Sequence, residues 1–319
     1  MRTRLEIRVP ISPTPDFFRR IHFMAASLRR LGGALAESEL VVCVGGDQEP
    51  TDLYDLLPWS KNYPITWRWA DFAMYRRDSY WETSREIFRR QATADYVMCA
   101  DADIIFVRDF SDLLGDLDRF PAVAGVIAHC GPFPNGEAFK TWAWLCEAYG
   151  IEVPSFTYEH TGWGLPTQPG ERLTPAYFNF GMVIAPSQVM NQIQTDILAA
   201  DRFVDSKLKT FYRFQIALTL AMYKHKVATR ALPLRYNFPN DVGFDEKYPE
   251  ELLAIRILHY LRGDVLHREK DFATLEAVAA LVGRRDLRGS NEVFRHAVSR
   301  LYATVAAEEG ALLPQTTPL

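Results

Sequence analysis

The chain has 319 residues, 48% of them hydrophobic, which is enough to bury a sizeable core in one large α/β domain or two small ones. Its formal net charge of −4 argues against nucleic acid as a general partner. No uncharged apolar run approaches the roughly 18 residues of a membrane span, the N-terminus shows no signal core, and the four cysteines lack a paired metal spacing. We therefore expect a cytoplasmic protein with reduced cysteines.

Short apolar runs alternate with segments of helical periodicity along most of the chain. The apolar runs predict strands at residues 5–11, 40–44, 65–69, 96–100, 122–128, 177–186 and 255–260. The helical pattern is found at residues 17–31, 79–90, 139–149 and 206–223. This alternation predicts an α/β fold with a mainly parallel sheet flanked by helices, in which ligands bind at the carboxyl ends of the strands.

The run at residues 96–100 ends on two carboxylates, Asp101 and Asp103, with one residue between them. Uncompensated charge at the end of a buried strand is costly. A hard cation such as Mg²⁺ or Mn²⁺ would neutralise it and keep coordination positions open for substrate phosphates. The alternative is a polar turn in which one of the two acids caps a helix, and the triplet alone does not decide between them.

Two further segments before residue 176 contain candidate ligand contacts. Most charged residues of the helix at 79–90 are expected on a solvated face, but this helix leads into the acid-pair strand, and Arg85 is the candidate to turn inward toward a ligand. The loop between residues 154 and 175 is rich in Gly, Pro and aromatic residues. Its Tyr158 and Trp163 are candidates to stack on a sugar ring, with ordinary loop packing as the alternative.

Three later features follow the acid pair in order. Asn179 interrupts a strand, Gln215 lies in the next predicted helix, and His259 lies near the end of the last predicted strand. A neutral histidine can complete a metal site with two carboxylates, and Mn²⁺ accepts such a mixed ligand set more readily than Mg²⁺ does. Arg262 and Arg268, just beyond the histidine, would meet a diphosphate.

This order resembles that of nucleotide-sugar glycosyltransferases of the GT-A fold, most closely the family 8 type, over roughly residues 5–268. The matching segments are residues 101–108, Phe178-Asn179-Phe180-Gly181, Gln215 and His259-Tyr260. The chain departs from that family at three places. Phe214 replaces an acid before the glutamine, the turn at residues 11–15 replaces an acidic nucleotide-contacting turn, and the Gly and Lys-Pro-Trp that follow the histidine in the family are missing.

The resemblance implies a GT-A-like domain at residues 1–268 and a helical C-terminal extension at 269–319. It implies that Asp101, Asp103 and His259 hold Mn²⁺ or Mg²⁺, and that Asp101 also lies near the donor ribose. The expected catalytic residues are Asn179 and Gln215, which would face the transferred sugar, together with Arg85. The residues expected to contact the nucleotide and its diphosphate are Ile11, Ser12, Asp101, Arg262 and Arg268.

The implied reaction moves a sugar from a UDP-sugar to a hydroxyl group of a carbohydrate or other acceptor. The metal and an arginine would neutralise the charge on the departing UDP. Retention of configuration is favoured, since it requires no strong base, whereas inversion would require one to deprotonate the acceptor. The candidates for such a base are Glu159, His160, Asp241 and Asp245. The loop at residues 158–172 is expected to border the acceptor pocket.

Two other functions stay open at this point. A phosphohydrolase with an aspartyl nucleophile also has Asp-x-Asp after a strand, although its pair usually follows the first strand. A degenerate transferase kept as a sugar-nucleotide binding or scaffold module is the second, because Phe214 and the missing lysine motif are departures from the family. The arginine-rich stretch at 281–300 would also suit peripheral contact with anionic lipid, but packing of its apolar face on the domain is favoured.

Overall fold

The structure is a computed structural model, and it describes residues 4–133, 138–162, 172–261 and 263–310. The strands are β1 (Leu5–Ile11), β2 (Glu39–Val44), β3 (Ile65–Trp69), β4 (Tyr96–Ala100), β5 (Ile104–Phe106), β6 (Val123–Ile127), β7 (Tyr158–Glu159), β8 (Leu173–Thr174), β9 (Phe178–Pro186), β10 (Thr229–Ala231), β11 (Phe238–Pro239) and β12 (Ile257–His259). The helices are α1 (Pro15–Leu31), α2 (Leu53–Leu56), α3 (Phe72–Asp78), α4 (Tyr80–Arg89), α5 (Ser111–Arg119), α6 (Ala138–Tyr149), α7 (Ser187–Lys207), α8 (Arg213–Lys224), α9 (Val242–Lys247), α10 (Pro249–Leu253), α11 (Arg268–Asp271), α12 (Leu275–Gly283) and α13 (Gly289–Gly310).

The main sheet has seven strands in the order β10-β6-β9-β4-β1-β2-β3. The pairings β1–β2, β1–β4, β2–β3 and β6–β10 are parallel, whereas β9 runs antiparallel to both of its neighbours. The predicted α/β fold with a mainly parallel sheet is therefore confirmed. β4 is the central strand, and all five of its residues are buried. Its carboxyl end lies beside that of β1, which brings Ser12 to the same edge as the acid pair.

Apolar side chains cover both faces of this sheet. On β4, Met98 and Ala100 point into one core with α1, while Val97 and Cys99 point into the other with α7 and α8. The two-residue period of a strand explains this division, because each face of a central strand must be apolar when helices cover both. The helix α7 is a difference from the sequence prediction, which placed no helix between the strand at 177–186 and the helix at 206–223.

The acid pair lies in the connection between two sheets. β4 ends in the main sheet, and after three intervening residues β5 begins in a small sheet of order β11-β12-β5. β12 runs antiparallel to β5, so that His259 is opposite Ile104 and the Tyr260 amide donates to the Asp103 carbonyl at 2.9 Å. The expectation that His259 ends a strand of the parallel sheet is wrong, because antiparallel pairing with the strand just after the acids brings it to them.

The C-terminal helices pack on the domain. Phe294, Val298 and Val305 of α13 belong to the same core as α1, whose buried His22 contacts Glu308 at 2.7 Å and stacks on Trp59. The apolar side chains of this tail are therefore directed inward, as the favoured interpretation of the arginine-rich stretch expects. Among the described residues, no helix combines the length and apolar character needed to cross a membrane.

Candidate functional site

Asp101 and Asp103 have different surroundings although one residue separates them. The Asp101 side chain is 43% exposed, whereas that of Asp103 is 9% exposed. Partial desolvation at the strand end and the charge of the neighbouring Asp103 raise the pKa of Asp101 above its ordinary value. Burial acts in the same direction on Asp103, but His259 and Arg268 outweigh it and lower the pKa of that carboxyl. Asp103 is thus held ionised, and Asp101 is the more accessible ligand.

His259 completes the cluster. Its Nε2 lies 3.2 Å from Asp103 Oδ1 and 3.7 Å from Asp101 Oδ2. Burial alone would lower the pKa of this imidazole, but the charge and hydrogen bond of Asp103 raise it above its ordinary value. One ligand atom from each of the three residues lies within 4.8 Å of the others, so the cluster could hold a metal ion.

Asn179 is oriented by two hydrogen bonds on its side-chain oxygen. Oδ1 accepts from the Gly181 amide at 2.8 Å and from Asn237 Nδ2 at 2.9 Å. Because its oxygen is engaged, the amide nitrogen is the group that Asn179 offers to a ligand in the cleft. The sequence motif Asn-x-Gly therefore fixes which end of the amide faces outward.

The cluster lies in a cleft of about 580 Å³ that also contains most of the other predicted site residues. The predicted residues that line it are Ile11, Ser12, Asp101, Asp103, Asn179, Gln215, His259 and Arg268. Gln215 Oε1 is buried and has no hydrogen-bond partner among the described atoms. Arg268 Nη1 forms an ion pair with Asp103 Oδ2. Arg262 lies outside the described residues.

Arg85 does not face the acid pair, and that expectation is wrong. Its Nε donates to Asp201 of α7 at 2.8 Å, and its Nη1 pairs with Asp78 and with Glu82 at 3.3 Å. Asp201 is fully buried and also accepts from Arg213 Nε at 2.6 Å. Arg85 thus ties α4 to α7 and is not among the residues that line the cleft. The pattern of charged residues along a helix does not show which buried carboxylate an arginine will pair with.

The candidate bases are dispersed. Asp241 lines the cleft, where its Oδ1 also caps α9 by accepting from the Gly243 amide at 2.9 Å. Asp245 accepts from the Ser290 amide at 3.0 Å and so anchors the start of α13. His160 is buried and donates from Nδ1 to the Ala128 carbonyl at 2.9 Å, and Glu159 is exposed. Of these four, only Asp241 is among the residues that line the cleft.

The predicted acceptor loop is described only at residues 158–162 and 172. Tyr158 and Glu159 form β7 and are not among the residues that line the cleft. Gly162 packs against His129, to whose carbonyl its amide donates at 2.8 Å. Trp163 lies outside the described residues, so the stacking hypothesis remains a prediction.

His129 is a cleft residue that the sequence reasoning missed. It follows β6, and its Nδ1 donates to Thr161 Oγ1 at 2.9 Å because that hydroxyl itself donates to the Ile127 carbonyl. Burial lowers its pKa to about 3, so the ring is neutral with its Nε2 unprotonated. Its place just after a predicted strand was a usable signal. The aromatic residues Tyr80, Trp81 and Phe211 also line the cleft, and no sequence signal separated them from the other aromatics.

The donor set suits a divalent cation. Two carboxylates and one imidazole are ligands that Mn²⁺ accepts, and Mg²⁺ also accepts the two carboxylates. The crowding of two acids, which raises the pKa of Asp101, is what a bound cation would relieve. Asp101, Asp103 and His259 therefore fit such an ion by chemistry and by spacing.

No protein-family model and no curated protein matches the sequence. Solved structures do match it. The bifunctional glycosyltransferase WbbM is 12% identical, with a TM-score of 0.51 over 97% of this chain and 52% of WbbM. An active-site mutant of LgtC is 13% identical, with a TM-score of 0.50 over 86% of this chain and 95% of LgtC.

The glycosyltransferase GlyE of Streptococcus pneumoniae is 13% identical, with a TM-score of 0.48 over 97% of this chain and 63% of GlyE. The chain therefore spans about half the length of WbbM and under two thirds of GlyE. At such identities the likeness concerns the fold. The matches to WbbM and LgtC confirm the predicted GT-A fold.

Proposed function

Because this chain has the GT-A fold of glycosyltransferases, we propose that it is a metal-dependent transferase. It would move a sugar from a nucleotide donor, a UDP-sugar, to a hydroxyl acceptor. The observation that carries the proposal is the cluster of Asp101, Asp103 and His259, whose ligand atoms lie within 4.8 Å of one another in a cleft at the strand ends. In this fold, strand ends are where ligands bind. Mn²⁺ is the proposed ion because of the imidazole ligand.

The remaining cleft residues have roles that follow from their chemistry. When bound, the cation would neutralise negative charge on the diphosphate leaving group. Arg268 would contact the same diphosphate, since its guanidinium already lies at the acid pair. Ile11 and Ser12, at the end of β1, would border the nucleoside. Asn179 would donate from its amide nitrogen to a hydroxyl group of the transferred sugar.

We favour retention of configuration. Gln215 Oε1 is buried and unpartnered among the described atoms, and a carbonyl oxygen at this place would stabilise positive charge on the sugar as the leaving group departs. Inversion would instead need a base at the acceptor hydroxyl, for which Asp241 is the candidate on the cleft. NMR of the anomeric proton in the first-formed product distinguishes the two outcomes.

The experiment that tests the function is a panel of UDP-sugars incubated with the protein and Mn²⁺, with released UDP as the readout. We expect UDP release with at least one donor, abolition by EDTA and a loss of more than about 100-fold in Asp103→Asn. Release of inorganic phosphate from sugar phosphates would favour a phosphohydrolase. Binding of a UDP-sugar without UDP release, whichever divalent metal ion is added, would favour a degenerate binding module.

A further inference from the structure

Both carboxylate oxygens of Asp103 are engaged by side chains of the chain itself. Oδ1 lies 3.2 Å from His259 Nε2, and Oδ2 pairs with Arg268 Nη1. The Asp103 side chain is 9% exposed, so water does not readily replace these partners. A cation that is to bind Asp103 must therefore displace one of them, and Arg268 is the partner that carries a permanent charge.

Arg268 is the more movable of the two partners. Its side chain is 40% exposed and projects from the first residue of α11, a helix of only four residues. Among the described residues its one ion-pair partner is Asp103. Arg20, another arginine on the cleft, is instead held by Asp16 and lies 3.8 Å from the Phe17 ring, and its side chain is buried. His259 is fixed by its strand.

Arg268 supplies a positive charge to the acid pair without a metal. Its guanidinium pairs with Asp103, and the His259 ring lies beside both carboxylates. A divalent ion added to this arrangement would meet the guanidinium at close range, and the two cations repel each other. A diphosphate changes this balance because its oxygens offer Arg268 a second anionic partner.

We propose that Arg268 is an internal cation that competes with the metal for Asp103 and moves to the diphosphate when a nucleotide binds, so that metal and nucleotide bind cooperatively. The inference rests on the proposed function for the metal site and for the identity of the nucleotide. Arg268 would thus contact Asp103 before the nucleotide binds and the diphosphate afterwards, and its removal should change the two binding equilibria differently. The metal alone gains affinity, and the dependence of metal binding on the nucleotide is lost.

The test is Mn²⁺ binding followed by the EPR signal of the free ion, with and without UDP. In the unmodified protein Mn²⁺ alone binds weakly, and UDP tightens its binding. In Arg268→Gln, Mn²⁺ alone binds at least about fivefold more tightly, and the enhancement by UDP shrinks by a similar factor, in the range usual for coupled sites. By linkage, Mn²⁺ must increase the affinity for UDP by the same factor by which UDP increases the affinity for Mn²⁺, in each variant. Arg268→Ala serves as a second variant.

The matched control is Lys270→Gln, which removes the same charge from the same helix at an exposed position outside the cleft. It should leave both affinities unchanged. Equal or weaker binding of Mn²⁺ alone to Arg268→Gln would overturn the proposal, as would an equal gain in the Lys270 variant. Failure of UDP to bind the unmodified protein would count against the proposed function. The affinities of the unmodified protein and of Arg268→Gln for Mn²⁺ alone would still show whether Arg268 competes with the metal for Asp103.

Discussion

Gly181 makes room for His259. A Cβ at residue 181 would overlap the His259 ring at Nδ1 and would lie 2.5 Å from Asn237 Oδ1. The imidazole can therefore approach β9 from the small sheet only because residue 181 has no side chain. The glycine of the Asn-x-Gly motif thus makes room for the cluster of Asp101, Asp103 and His259, while the asparagine lines the cleft.

Replacing Gly181 with Ala should displace the imidazole from Asp103. We expect a loss of about 1–3 kcal/mol in the free energy of unfolding, as for other overpacked sites. We also expect Mn²⁺ affinity to fall at least about tenfold, measured in the presence of UDP. Gly115→Ala is the control, since no heavy atom lies within 4 Å of a Cβ built there. Unchanged Mn²⁺ binding in Gly181→Ala would show that the overlap is relieved without moving His259.

The raised pKa of His259 gives the metal-free protein a defined pH dependence. A group whose pKa is raised by folding stabilises the folded state below its unfolded pKa, near 6.5, and this contribution is lost as the pH rises through the folded value. In EDTA, the difference in unfolding free energy between the unmodified protein and His259→Gln should therefore shrink as the pH rises above 6.5. Urea denaturation across this range measures it, and a constant difference would mean that the pair with Asp103 does not titrate as inferred.

Arg85 should prove structural. Removal of one partner from a buried ion pair leaves the other charge unpaired, so Arg85→Met should cost about 3–5 kcal/mol of unfolding free energy. Arg77→Met, which alters an arginine that is 67% exposed, should leave the unfolding free energy nearly unchanged. Folded Arg85→Met protein should retain the UDP and Mn²⁺ affinities of the unmodified chain. A selective loss of UDP affinity in this variant would show that Arg85 contributes to nucleotide binding.

Gln215 is expected to act on turnover rather than on binding. Gln215→Ala should lower kcat for UDP-sugar hydrolysis by about 100-fold or more, because it removes a group that meets developing charge, and should leave UDP affinity nearly unchanged. Gln192→Ala, at an exposed position of α7, is the control. If kcat is maintained in Gln215→Ala, the oxygen has no part in the reaction.

The strands and the acid pair were predictable because they have local signals. A fully apolar run that ends in Asp101-Ala102-Asp103 indicates both a buried strand and the point where it leaves the core. The partners of Arg85 were not predictable in the same way. Asp201 is 116 positions away and belongs to α7, a helix that the sequence reasoning did not identify.

The sequence also did not predict how His259 comes to lie beside Asp101 and Asp103. Its strand has only three residues, and the pairing with β5 depends on how two short segments far apart in the sequence meet. His259 and Asp103 are 156 positions apart. The periodicity of a three-residue strand cannot distinguish a parallel from an antiparallel neighbour. The sequence therefore predicted which side chains form the cluster, but not the sheet that brings the histidine to it.

Anomalous diffraction at the manganese edge, from crystals grown with Mn²⁺ and UDP, would locate the metal. We expect one strong peak bonded to Asp101, Asp103 and His259 and to diphosphate oxygens, with Arg268 moved from Asp103 to the diphosphate. A peak at other residues, or UDP in the cleft with no manganese at this cluster, would contradict this expectation.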